Sequence, residues 1–312
     1  MSYQDVGGSP RFYVDHGLWL NTLELYTPPS GAASLIHLNP TTIIDTPTWG
    51  EGISMPRYAP INYVAFLGHD GGVMFPSWDN AASAASITSH INGGDSPTES
   101  VPYNGFSIYL FEDTEESYLL AYHGYGHHIG AISIGSTYTM TNAPNISLTK
   151  SRDYGGTKEF TTYNGSSMSN TMWHSAPKWG NLGAWELGDG NPVLSKSGRR
   201  SWQLTFSYMD SGDLWASNQS LSFIREDITD GTDSGDLDNV GNFQDNLLTD
   251  DSFFSQVWQK TLGMTLPCIL QIDSSNNNPD QFAIVKGVSN SLKATQSAPN
   301  VYDISLSIEE VF

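Results

Sequence analysis

The sequence predicts a mostly β protein whose short strands are antiparallel, with one short helix. Glycine and the small polar residues serine, threonine and asparagine are frequent, as in chains of many short strands joined by turns. Residues 301–311 give the clearest strand, because Ile304, Leu306 and Ile308 alternate with polar side chains. That period is typical of a strand with one solvated face. The helix is predicted from the apolar spacing that follows Asp250.

This helix is predicted over residues 251–262. Apolar side chains recur there at three- and four-residue spacing, at Phe253, Phe254, Val257, Trp258 and Leu262. Asp250 and Asp251 precede them as capping acceptors, and Gly263 closes the pattern. We therefore expect one short amphipathic helix whose aromatic face is buried against a sheet or between subunits.

The N-terminal segment is expected to be extended. Residues 10–15 begin a strand, and the apolar pattern continues through residues 18–25. Prolines and a glycine within residues 28–31 break it. A second strand is expected at residues 35–40, where Asn39 and Pro40 end it.

Further strands are expected along the rest of the chain. Those at residues 63–69, 106–111, 118–122 and 129–135 are separated by turn residues and indicate a small antiparallel sandwich. Later strands are expected at residues 202–208, 266–272 and 282–285. Residues 226–251 are rich in aspartate and glycine and contain no lysine or arginine, which is typical of an exposed loop.

Charge and composition exclude several classes of partner. The formal net charge is −20, so DNA phosphates and anionic lipid would repel the chain. No apolar run approaches the roughly 18 residues of a membrane span, so no membrane insertion is expected. Residues 1–10 have no basic start and no apolar core, so we do not expect a signal peptide. Cys268 lies in an apolar run and is expected to be buried and inert.

Six segments together resemble a family of virion proteins from tailed bacteriophages, of the kind found in marine and cyanobacterial phages. The resemblance is to the distal-tail or baseplate-hub type. It is carried, in chain order, by PRFYVD at 10–15, FLGHD at 66–70, IGAISIG at 129–135, SRDYGG at 151–156, SGRRSW at 197–202 and PDQFA at 279–283.

The resemblance implies a fold and a domain division. Residues 1–50 and 143–312 would form a ring-forming antiparallel β-sandwich of tail-tube type with the helix near 251–262. Residues 51–142 would form an inserted, peripheral β-sandwich of the galactose-binding-like jelly-roll type.

It also implies a function without catalysis. The chain would form a ring, expected to contain six copies, at the distal tail or baseplate of the virion, after synthesis in the host cytoplasm. Its partners would be further copies of itself, the tail tube, hub proteins and, through the insert, a host surface glycan. The alternatives are a carbohydrate-binding adhesin or receptor-binding tail protein, and a glycan hydrolase.

Two segments are candidates for metal binding, and no other cofactor is expected. Calcium prefers several oxygen ligands, which Asp230, Asp233, Asp236 and Asp238 could supply, although the spacing is not that of an EF-hand. In residues 123–128, His123, Tyr125 and His127 would share one face of a strand. A solvated loop is the alternative for both segments.

The remaining candidates are aromatic or basic. Trp173 and Tyr154 are the candidates for stacking on a sugar. Interface or core positions are expected for Trp179, Trp185, Arg199, Arg200, Phe253, Phe254, Val257 and Trp258, since tryptophan, tyrosine and arginine concentrate at interfaces. No catalytic residue is assigned, because the sequence contains no G-x-S-x-G, HExxH or P-loop motif.

Overall fold

A computed structural model of the chain describes residues 8–28, 36–38, 44–45, 50–54, 61–69, 75–79, 98–103, 105–114, 118–122, 128–145, 149–153, 157–171, 199–215, 250–289 and 292–311. The strands in these ranges are β1 (Arg11–Asp15), β2 (Ile44–Asp45), β3 (Gly50–Ser54), β4 (Ile61–His69), β5 (Phe75–Asp79), β6 (Glu99–Pro102), β7 (Gly105–Thr114), β8 (Tyr118–Tyr122), β9 (His128–Ile129), β10 (Ala131–Thr139), β11 (Thr149–Asp153), β12 (Thr157–Thr161), β13 (Ser167–Thr171), β14 (Arg199–Asp210), β15 (Cys268–Gln271), β16 (Phe282–Gly287), β17 (Ala294–Ala298) and β18 (Val301–Glu310). The helical elements are α1 (His16–Thr22), one turn at Ser211–Leu214, a π-helix at Phe254–Gln259 and a 3₁₀ turn at Pro279–Gln281.

Most of these strands form one large antiparallel sheet. Its 11 strands run in the order β11–β14–β18–β16–β15–β1–β10–β4–β7–β6, with β17 added to β18. Smaller sheets are formed by β3–β8–β5, by β12–β13 and by β2–β9. The prediction of a mostly β, antiparallel protein is therefore confirmed.

The large sheet is strongly curved. The rings of Phe106 on β7 and Phe282 on β16 lie 5.6 Å apart, although four strands separate β7 from β16 in the sheet order. Arg11 on β1 also forms an ion pair with Glu99 on β6 at 2.9 Å, across three intervening strands. The concave face therefore encloses a core of its own, which includes Tyr13, Tyr63, Phe106, Ile269 and Phe282.

Two helical elements cover the opposite face. The π-helix packs over β1, β14, β15, β16 and β18, where Phe253 and Val257 join the side chains of Trp202, Leu204 and Phe206. Helix α1 covers β4, β7 and β10 instead, through Trp19 and Leu20. Asp15 begins α1, because its carboxylate accepts a hydrogen bond from the backbone N–H of Leu18 at 2.9 Å.

Two local predictions are corrected, and one is made more specific. Residues 16–22 form a helix rather than continuing the strand, because the Asp15 cap redirects the chain and Trp19 and Leu20 then share a buried face. Residues 36–38 form a turn instead of a strand. The helix expected over residues 251–262 is a π-helix at Phe254–Gln259. Just beyond it, the N–H of Gly263 also bonds to a carbonyl five residues earlier, that of Trp258.

The domain boundaries predicted from the sequence do not coincide with an edge of the large sheet. Strands β4, β6, β7 and β10 belong to residues 51–142, and all four pair into it. The link to the N-terminal segment is the β1–β10 pair, which runs from Arg11↔Thr139 to Asp15↔Gly135. Of the same segment, β3, β5 and β8 form a separate sheet with one another.

Candidate functional site

Four buried polar side chains meet between the π-helix, β10 and the start of α1. Lys260 Nζ donates to Gln256 Oε1 at 2.6 Å and to Ser136 Oγ at 3.4 Å. His16 Nε2 lies 2.9 Å from Ser136 Oγ. Each of the four side chains belongs to a residue less than one tenth exposed, and Lys260 is 1 % exposed. We call His16, Ser136, Gln256 and Lys260 the buried polar cluster.

Local backbone geometry brings this cluster together. Gly135 pairs with Asp15 across β1 and β10. A Cβ at position 135 would collide with the carbonyl oxygen of Val14 and crowd the backbone nitrogen of His16. Glycine therefore allows the two strands to approach closely enough for His16 to reach Ser136.

The buried polar cluster holds its histidine neutral. Burial, and secondarily the charge of Lys260, lowers the pKa of His16 well below its ordinary value of 6.5. A neutral imidazole beside a hydroxyl is the pairing that activates a nucleophile in many enzymes. Here both groups are buried, and their hydrogen bonds attach the π-helix to β10 and α1. The buried polar cluster is thus suited to holding the π-helix, β10 and α1 together.

The sequence contains a signal for this cluster. Lys260 follows Phe253 by seven residues and Val257 by three, so it falls within the apolar stripe of the predicted helix. A lysine in such a stripe either extends to solvent or is buried with polar partners. The partners could not be identified from the sequence, because His16 and Ser136 are each 120 or more residues away.

Asp15 is a buried carboxyl group beside this cluster. Burial raises its pKa from 3.8 to about 6, against smaller opposing effects of hydrogen bonds with Leu18, Ser133 and Gly17. Ser133 Oγ in turn lies 2.8 Å from the hydroxyl of Tyr63. The folded protein therefore favours the protonated form of Asp15 more strongly than the unfolded chain does.

Replacing Asp15 with asparagine is expected to stabilise the protein above pH 6. Because the folded pKa is raised, Asp15 makes the wild-type protein less stable as the pH rises from about 4 to about 6. The accumulated loss is about 2–3 kcal/mol. Asparagine keeps an oxygen that can cap Leu18 and does not titrate. Urea unfolding of both proteins at several pH values measures the difference in stability.

Measurement at low pH is the control for the Asp15→Asn prediction. At pH 3 and below, the two proteins should differ little, since Asp15 is then mostly protonated in both states. An equal difference at pH 3 and pH 8 would contradict the assigned cause.

A second buried charge lies at the start of β14. Arg200 pairs with Glu310 through Nη2 and Oε1 at 2.7 Å, and the side chains are 7 % and 0 % exposed. Its guanidinium also donates to the carbonyl oxygens of Asp280 at 2.7 Å and Phe282 at 2.6 Å. The group lies 5.2 Å from the ring centre of Trp202. The guanidinium of Arg200 thus makes these contacts within its own chain, so the structure places it in the core instead of at a subunit interface.

The hairpin of β12 and β13 exposes apolar side chains. Strands β12 and β13 pair only with each other among the described residues, with Phe160 directly opposite Met168. Phe160 is 50 % exposed, Met168 52 % and Tyr163, in the turn, fully exposed. Gly165 provides the positive φ of 78° that the turn needs. We call Phe160, Tyr163 and Met168 the hairpin patch. The sequence analysis did not predict this hairpin, although the Asn164-Gly165 pair is a signal that could have located its turn.

The remaining predicted side chains fall into three groups. Phe253 and Val257 are buried, whereas Phe254 and Trp258 are partly buried. Arg199 begins β14. Outside the described residues lie Tyr154, Trp173, Trp179 and Trp185, the calcium candidates Asp230, Asp233, Asp236 and Asp238, and the segment with His123, Tyr125 and His127.

Three further observations concern chemistry and environment. Cys268 is buried, as predicted, and burial raises the pKa of its thiol to about 12. In the described ranges, no three or more histidine, cysteine or acidic side chains are grouped to hold a metal ion. None of the helices in those ranges is both long and apolar enough to cross a bilayer.

Comparison of the chain with models of protein families, with curated proteins and with solved structures found no match.

Proposed function

We propose that the chain is a non-enzymatic structural protein of a bacteriophage virion. It assembles into a ring, with six copies expected, at the distal end of the tail or in the baseplate. There it links the tail tube to the components that recognise the host. The motif resemblance described above supports this assignment, and the hairpin patch is the observation that carries the assembly step.

The hairpin patch supports contact between copies for two reasons. A two-stranded hairpin is marginally stable by itself, and β12 and β13 pair with no third strand among the described residues, so contact with a neighbouring copy would stabilise it. Residues 157–171 also contain one lysine and one glutamate, giving zero formal charge in a chain of net charge −20. A neutral, apolar arm is a surface through which such like-charged copies can meet.

The fold is compatible with a ring. In this proposal, the curved sheet with the π-helix and α1 on its convex face is the tail-tube-like, ring-forming unit. The proposed jelly-roll insert would be built around β3, β5 and β8, since the other long strands of residues 51–142 pair into the large sheet. Contact through one patch on each copy and a different patch on the next gives a closed ring when the rotation between neighbours divides a full turn.

Assembly is tested by the mass of the purified protein in light scattering and by its shape in negative-stain microscopy. The wild type should form a closed ring. A Phe160→Ser/Met168→Ser variant should be a folded monomer, because serine removes the apolar contact while leaving the hairpin backbone intact. Val288→Ser is the matched control, since Val288 is 60 % exposed and lies outside the hairpin.

The double variant and Val288→Ser together show whether the interface between copies lies at the hairpin patch. A ring that persists in the double variant and dissociates in Val288→Ser would place the interface elsewhere. A wild-type protein that stays monomeric and is retained by immobilised glycans would favour the adhesin over the ring.

A further inference from the structure

Tyr208 occupies a position where tyrosine is unfavourable. It lies in a β-bulge of β14, between Phe206, which pairs with Ile304, and Met209, which pairs with Tyr302. Its backbone has a φ of 61°, in the left-handed region that glycine adopts freely and other residues rarely do. Its side chain is nevertheless 78 % exposed to solvent. The ring is therefore presented outward from a strained backbone.

Neighbouring side chains hold this bulge in place. The backbone N–H of Tyr208 donates to Asp303 Oδ1 at 3.0 Å. Asn142 Nδ2 donates to the carbonyl oxygens of Ser207 at 3.1 Å and Tyr208 at 3.3 Å. The next residue, Met209, is completely buried. Every one of these contacts uses the backbone of residues 207–208 or the adjacent side chain, so a glycine at 208 would preserve them all.

The exposed ring of Tyr208 thus contributes little to the stability of the fold, since a glycine at this position would preserve the same contacts. Strained non-glycine residues persist where the surrounding structure fixes them, and they concentrate at sites that contact other molecules. An exposed tyrosine on a rigid backbone is also the kind of side chain that dominates binding interfaces, because little conformational entropy is lost when it is covered.

The charge of the surface around Tyr208 indicates which kind of partner could bind there. Residues 201–215 and 294–308, which include most of β14, the turn after it, β17 and most of β18, contain Asp210, Asp213 and Asp303 and no lysine or arginine. Arg199 and Arg200 lie at the opposite end of β14 from Tyr208. A second copy of the chain, at net charge −20, would be repelled from this surface. A cation would be attracted both by the carboxylates and by the face of the Tyr208 ring.

We propose that Tyr208 is the central contact of a docking surface for an arginine- or lysine-bearing segment of another protein. This surface is distinct from the hairpin patch, and the inference does not require that the chain form a ring.

The test uses the full chain and a fluorescent peptide that alternates arginine with glycine, with binding measured by anisotropy at about 0.15 M salt, where weak long-range attraction is screened. Tyr208→Gly should bind the peptide about two- to five-fold more weakly than the wild type, the range of an exposed cation–π contact. Tyr208→Phe should bind like the wild type, because it keeps the ring. Leu25→Ala removes an apolar side chain that is 51 % exposed and belongs neither to this surface nor to the hairpin patch, so it should leave the affinity unchanged.

Thermal melting provides the second readout. Tyr208→Gly should melt at the same temperature as the wild type or higher, because glycine relieves the strain at positive φ. A lower melting temperature would mean that the ring stabilises the fold, and would overturn the proposal. Equal peptide affinity of the wild type and Tyr208→Gly would also overturn it, as would a Tyr208-dependent retention on glycans with no effect on the peptide. Ring assembly in Tyr208→Gly is scored separately and bears only on the proposed function.

Discussion

Replacing Glu310 with alanine is expected to lower the free energy of unfolding by about 3–5 kcal/mol, since it leaves a buried arginine without its carboxylate. Glu310 accepts hydrogen bonds from Nη2 of Arg200 at 2.7 Å and from its backbone N–H at 2.9 Å. The variant keeps the guanidinium in contact with two carbonyl groups and Trp202, yet nothing neutralises its charge. Urea or thermal unfolding of the purified protein measures the loss.

The adjacent residue supplies a matched control. Glu309 forms an ion pair with Lys286 at 3.4 Å, but both side chains are 44 % exposed. Exposed pairs contribute about 0–1 kcal/mol, so Glu309→Ala should unfold nearly like the wild type. Arg200→Met combined with Glu310→Leu should recover part of the stability lost in Glu310→Ala, because no charge then remains buried. Equal losses at positions 309 and 310 would refute the role given to burial.

Phe253→Ala is expected to cost a similar amount, about 3–5 kcal/mol, which is typical for truncation of a buried phenylalanine. Phe253 is completely buried at the start of the π-helix. Its ring lies 5.8 Å from that of Phe12 on β1 and 5.8 Å from that of Tyr138 on β10. The substitution would therefore leave a cavity where the π-helix meets the centre of the sheet. Unfolding in urea, with m-values compared, measures the effect.

Comparing the stability lost in Trp258→Ala with that lost in Phe253→Ala tests whether Trp258 is a core or a partly exposed side chain. From the sequence alone, Trp258 is expected to be as buried as Phe253, and its truncation to cost about 3–5 kcal/mol. In the structure Trp258 only packs against the outside of the core and is partly buried. We therefore expect a smaller loss than for Phe253→Ala. A larger loss for Trp258→Ala would show that this side chain is covered in the folded protein, for example by a second copy.

Strands with strict alternation could be predicted from the sequence. In β18, Ile304, Leu306 and Ile308 are buried while Ser305 and Ser307 are exposed, as expected from their period of two. The helix was harder, because three- and four-residue spacing does not distinguish a π-helix from an α-helix over a single turn or two. Helix α1 was missed because its start depends on the Asp15 cap, which an apolar pattern does not reveal.

Long-range partners explain why the sites were less predictable than the strands. Arg200 was expected at an interface or in the core, and it is buried, but its partner, Glu310, is 110 residues away. Tyr208 ended a predicted strand and gave no sign of its bulge, since tyrosine is common in ordinary strands. Phe160 and Met168 face each other only once the turn between them is known.

The position of β1 in the sheet has a consequence for folding. Arg11 on this strand bonds to Thr139, 128 residues later, and Tyr13 bonds to Gln271, 258 residues later. β1 is synthesised long before β10 and β15, the two strands that pair with it. Its apolar residues Phe12 and Val14 therefore lack their complete native packing until residue 271 has been synthesised. Such high contact order is typical of β proteins that fold in milliseconds to seconds. During that interval the nascent chain exposes an unpaired, aggregation-prone edge, so efficient production of this protein is expected to depend on chaperones.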